Sequence, residues 1–65
     1  MNEEQAGTVY FEFSAVGTTV KLAAIDATTG IEVSVIGPAS ASQADLERLA
    51  VAKLRARLAR EREAP

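Results

Sequence analysis

The chain contains no cysteine and no histidine. Disulfides are excluded, and so is any metal site built on thiolate or imidazole. A Ser–His or Cys–His nucleophile has no base to work with. An all-oxygen cation site would need a loop of clustered Asp and Asn, and the sequence has none. Aromatic residues are confined to Tyr10, Phe11 and Phe13, too few to build a stacking platform for nucleic-acid bases. No apolar run approaches the roughly 18 residues that a membrane-spanning helix needs. The first residues, Met1-Asn2-Glu3-Glu4-Gln5, are acidic and polar, the reverse of a secretory signal. A cytoplasmic location is the default expectation, and absent cysteine is compatible with a reducing compartment. Gly17, Gly30 and Gly37 stand isolated, so no phosphate-cradling loop is present.

What the chain does have is a strong pattern. Its 65 residues make one domain at most. A domain of this size buries only about 60% of the surface that its unfolded chain exposes. With disulfides and metal excluded, association is the expected supplement to stability. Residues 1–7 read as a flexible leader and 8–63 as one βββα domain. From Thr8 to Val16, Val9, Phe11, Phe13 and Ala15 alternate with Tyr10, Glu12, Ser14 and Val16, the period-two signature of a strand. Gly17-Thr18 suits a type II′ hairpin turn. If Val16 pairs with Thr19, then Phe13 opposes Leu22 and Phe11 opposes Ala24. A one-residue slip would break that match. In the next turn, Asp26-Ala27-Thr28-Thr29-Gly30, the Asp can accept backbone N–H groups and the Gly can take a positive φ. Pairing Asp26 with Ile31 sets Ala24 against Val33 and Leu22 against Val35.

These pairings predict an α+β fold. It is a three-stranded antiparallel meander, at about 8–16, 19–26 and 31–36, with one C-terminal amphipathic helix at about 42–62 packed on one face. Gly37-Pro38 is expected to end the sheet. Ser42 or Ser40 caps the helix, with Asp45 or Gln43 in the matching capping-box place. From Gln43 to Glu63 there is no Gly or Pro, which favours helix. Leu46, Ala50, Val51, Leu54 and Leu58 share one stripe. That stripe is expected to roof Val9, Phe11, Phe13, Val20, Leu22, Ala24, Ile31, Val33 and Val35.

The opposite sheet face carries Tyr10, Val16, Ala23, Ile25 and Ile36 among polar residues. It is more apolar than a solvent-facing sheet normally is, so these five are the candidate interface. The Ile31–Ile36 edge strand is a second candidate contact.

Net charge is −2 but unevenly spread. Residues 1–41 carry Glu3, Glu4, Glu12, Asp26 and Glu32 against Lys21. Residues 42–65 carry Arg48, Lys53, Arg55, Arg57, Arg60 and Arg62 against Asp45, Glu47, Glu61 and Glu63. Arg48, Arg55 and Arg62 share one helix flank and Lys53, Arg57 and Arg60 another. Together they form a candidate basic patch for phosphates. Against nucleic acid stands the overall negative charge. A membrane-surface helix would want a bulky apolar face free to insert; this stripe holds no aromatic, and the sheet needs it. Ser14 across from Lys21 reads as a cross-strand polar pair. Glu12 and Glu32 lie on an open sheet face with no cleft to make them acid and base. Asp26 reads as a turn residue. No enzymatic activity, cofactor, metal or small-molecule substrate is expected.

The run Val16-Gly17-Thr18-Thr19-Val20-Lys21-Leu22-Ala23-Ala24-Ile25-Asp26-Ala27-Thr28-Thr29-Gly30-Ile31-Glu32-Val33-Ser34-Val35-Ile36-Gly37-Pro38 resembles a family of short alphaproteobacterial proteins of unknown function. The likeness continues through Leu46, Leu49, Ala50, Lys53 and Leu54. It implies a bacterial source and supplies no activity, so no functional residue carries over. The expected role is a non-enzymatic protein-interaction module, self-associating or a subunit of a larger assembly. The alternatives are a small nucleic-acid-binding regulator using the basic helix flanks, and a minor structural component of a phage-like particle.

Overall fold

The computed structural model describes residues 8–63. The expected leader at 1–7 lies outside them. Strands β1 (Val9–Val16), β2 (Thr19–Asp26) and β3 (Glu32–Pro38) precede helix α1 (Gln43–Glu63). The strands form one antiparallel sheet in the order β1-β2-β3. Both hairpin registers are those the turn chemistry predicts: Phe13 faces Leu22 and Val16 faces Thr19, while Ala24 faces Val33 and Leu22 faces Val35.

Each turn has a local cause. Gly17 takes φ +61°, as the first central residue of a II′ turn must. At the second turn the buried Asp26 carboxylate holds the loop. Its Oδ2 accepts the Thr29 N–H at 2.9 Å and the Thr29 hydroxyl at 2.7 Å. Thr29 Oγ1 in turn accepts the Ile31 N–H at 3.1 Å. Gly30 closes the loop at φ +77°, and the Asp26 N–H donates to the Ile31 carbonyl at 2.8 Å.

The strand runs further than expected at one end. β3 passes through Gly37 and Pro38, with Pro38 opposite Thr19. The parity of the ladder explains this. The Ala39 N–H donates to the Thr18 carbonyl at 2.7 Å, so odd residues of β3 bond to β2 and the missing N–H of Pro38 points away from it. The choice of helix cap also resolves: Ser42 Oγ accepts the Asp45 N–H at 3.2 Å and the Ser42 carbonyl accepts the Leu46 N–H at 3.0 Å. The cap satisfies one of the orphan donors of the first turn.

The core is narrower than the alternation of β1 suggests. Leu46, Ala50 and Leu54 of α1 pack on Val20, Leu22, Ala24 and Val33, with Val9, Ile31, Val35, Ala41 and Leu58 around them. The helix contacts β2 and β3 and leaves most of β1 uncovered. Phe11 and Phe13, expected beneath the helix, are 39% and 47% exposed. Ala15 is exposed with them. The reason is geometric. A helix about 10 Å across spans about two strands spaced about 4.8 Å apart. The connector from Ala39 to Ser42 does not extend but folds into a turn, closed by the Ala41 N–H on the Pro38 carbonyl at 2.9 Å, and so sets α1 down at the β3 side of the sheet. Gly37 eases close approach at that corner, where a Cβ would lie 3.2 Å from Leu46 Cδ2 and push that side chain back by a few tenths of an ångström.

Two substitutions test this core. Leu54→Ala should lower unfolding free energy by about 2–5 kcal/mol in a denaturant titration, because a fully buried leucine is replaced by a cavity. Asp26→Ala should cost about 1–3 kcal/mol by the same measurement, since two Thr29 donors lose their shared acceptor; no loss would mean that Gly30 and the backbone hydrogen bonds of residues 26–31 hold the turn without the carboxylate.

Candidate docking surface

The outer sheet face does not supply the contiguous patch expected of it. Ala23, in the central strand between its ladder partners Glu12 and Ser34, is only 3% exposed. It is therefore removed from the candidate interface. Ile25 is half-buried between Tyr10 and Glu32. Tyr10, Val16 and Ile36 are 61%, 78% and 70% exposed, but Glu12, Ser14 and Lys21 interrupt the face between them.

The β3 edge is blunted. Its even-numbered residues point their backbone groups outward, and one of these, the Ser34 carbonyl, accepts a hydrogen bond from Lys53 Nζ at 2.7 Å. Pro38 offers no N–H. A lysine laid along an edge and a terminal proline are both ways of keeping a further strand off. The candidate basic patch is correspondingly divided. Lys53 is tied to β3. Arg48 is ion-paired with Asp45, and Arg57 Nε with Glu61 Oε2 at 2.9 Å. Arg60 is exposed, and Arg62 lies near the Asp26 turn. The six positions form no single continuous row.

The β1 side differs in every respect. The hairpin closes at Val16 and Thr19, and the Ala27 N–H donates to the Thr8 carbonyl at 3.1 Å. Even-numbered residues of β1 therefore bond to β2, and Val9, Phe11, Phe13 and Ala15 turn their N–H and C=O groups outward. No described strand pairs with that edge, and no proline or lysine lies in β1. Above it, the β1-facing flank of α1 and the Phe11 ring form an open groove of about 570 Å³ lined by Phe11, Ala44, Glu47, Arg48, Val51, Ala52 and Arg55. It joins an apolar floor to walls of alanine, valine and the long stems of two arginines, which can cover apolar surface while their charges stay in water. Sequence reasoning placed Phe11 and Phe13 in the core and so missed this groove. The signal available to find it was the width of one helix against three strands.

A second cavity of about 410 Å³ is lined by Asp26, Thr28, Thr29, Ile31, Leu58, Glu61 and Arg62. Both its carboxylates are engaged, Asp26 by the Thr29 donors and Glu61 by Arg57, which makes it turn scaffolding. Ser14 and Lys21 face each other across the ladder on the open face, and Glu12 and Glu32 stand on opposite edge strands. Among the described residues no group of three His, Cys, Asp or Glu could hold a metal ion, and no helix is long and apolar enough to cross a membrane.

Comparison with curated proteins and with solved structures returns no match. One family model matches residues 6–61, nearly the whole chain, and by that match the chain belongs to the family described as Domain of unknown function (DUF6898).

Proposed function

We propose that this protein is a non-enzymatic interaction module that self-associates through β1 and the neighbouring flank of α1. The observation that carries the reading is the exposure of Phe11 and Phe13 on the sheet face that otherwise forms the core. Each ring is already about half covered, so completing its burial gains roughly half of the ~1.5–3 kcal/mol that full burial of such a side chain brings. A chain this short has little other means of adding stability. Phe11 joins β1 to the groove along α1, whereas Glu12, Ser14 and Lys21 separate the apolar residues of the outer face. The sequence resemblance supports an alphaproteobacterial source, and the cysteine-free composition suits the cytoplasm.

Sedimentation equilibrium tests the reading. The unmodified protein is expected to be a dimer in the micromolar range. Phe11→Ser with Phe13→Ser should shift it to monomer while its far-UV circular dichroism keeps the native shape. Ile36→Ser and Leu49→Ser, at exposed apolar positions elsewhere, should leave the mass unchanged. A monomeric unmodified protein, or a dimer lost only with Ile36 or Leu49, would refute it.

A further inference from the structure

The two edges of the sheet are treated in opposite ways, and that asymmetry says how a second copy would dock. β3 is closed to a further strand by the Lys53–Ser34 hydrogen bond and by Pro38. β1 presents the outward groups of Val9, Phe11, Phe13 and Ala15 with no such guard among the described residues. Resting on the self-association reading, we propose that the partner is a second copy whose β1 pairs antiparallel with this one about a two-fold axis at Phe13. The product is a six-stranded sheet with both helices on one face.

Side-chain parity limits the choices. A two-fold axis perpendicular to the sheet keeps equivalent residues on the same face, so the strands can slip only in steps of two. The outward backbone groups belong to odd residues, so odd residues make the hydrogen-bonded pairs. An axis at Glu12 would set that carboxylate against its own copy in a close, non-hydrogen-bonded pair, where like charges oppose association. An axis at Phe11 would set Tyr10 against Glu12 and carry Ala15 and Val16 past the described residues of the second copy. An axis at Phe13 pairs Phe13 with Phe13, Phe11 with Ala15, Glu12 with Ser14 and Tyr10 with Val16. All four large apolar residues left exposed on β1, namely Tyr10, Phe11, Phe13 and Val16, then gain a neighbour across the seam. Charge agrees as well. Ser14 lies beside Lys21, so Glu12 of the second copy enters a row that continues to a lysine.

The helices do not obstruct this arrangement. Each sits over β2 and β3, so their axes are separated by four strand spacings, about 19 Å at about 4.8 Å each. Packed helices lie about 8–10 Å apart. The Arg48 and Arg55 rows thus face one another across a gap without colliding, and their stems reach over the phenylalanine floor. Because the interface is isologous it closes at two copies and leaves only the guarded β3 edges outside.

The absence of native cysteine makes the register measurable. Glu12 and Ser14 face outward and are exposed, so Glu12→Cys and Ser14→Cys should both fold. In the proposed register Cα of position 12 lies about 4.5 Å from Cα of position 14 in the second copy, within disulfide reach, whereas two positions 12 are about 8 Å apart and out of reach. Mixing the two variants under mild oxidation should give a mixed disulfide dimer in at least tenfold excess over either homodimer. If the protein is dimeric by sedimentation but Glu12→Cys links to itself, or no disulfide is enriched, the proposed pairing fails and the self-association reading survives. If the unmodified protein is monomeric, both fail.

Discussion

The width of one α-helix governs this structure. Three strands make a sheet that α1 cannot cover, and the short connector after β3 decides which strands it does cover. Leu46, Ala50 and Leu54 meet Val20, Leu22, Ala24 and Val33 in a compact core. The proposed contact surface follows from what is left over. The core face of β1 continues past the helix into solvent, with two phenylalanines on it. A longer connector would let the helix sit centrally over β2 and cover more of β1 at the expense of β3.

Both hairpins are legible in the sequence because their determinants are local. Gly17 supplies a positive φ for a two-residue turn, and Asp26, Thr29 and Gly30 build the next one within five residues. Period-two alternation then fixes every cross-strand pair. The lateral position of the helix is not legible in the same way. An apolar strand face signals that it wants covering, and the signal is identical whether a helix or another molecule supplies the cover. Phe11 and Phe13 therefore read as core. Ala23 reads as part of an outer patch because its burial comes from flanking strands rather than from its own neighbours in sequence. Lys53 reads as part of a basic row because its acceptor is 19 residues away, on β3.

The candidate surface is a consequence of polarity between the two sheet edges. On β3, Lys53 of α1 covers the outward Ser34 carbonyl and a proline ends the strand; on β1, aromatic and aliphatic residues line the margin. Charges on α1 sort in the same sense. Arg48 and Arg55 lie over the open groove, whereas Lys53 is committed to the closed edge. A single helix thus seals one margin of the sheet and frames the other.

The partial roof also grades the cooperativity of the molecule. β2, β3 and α1 share one set of buried contacts, so their amides should open to exchange together. β1 is tied to the rest chiefly by its ladder to β2. It can peel away as a unit at lower free energy, exposing β2 without dissolving the Leu22–Leu54 centre. The strand that carries the proposed contact surface is in this way also the least anchored foldon, and whatever clasps it there would raise the stability of the whole chain by ordinary mass action.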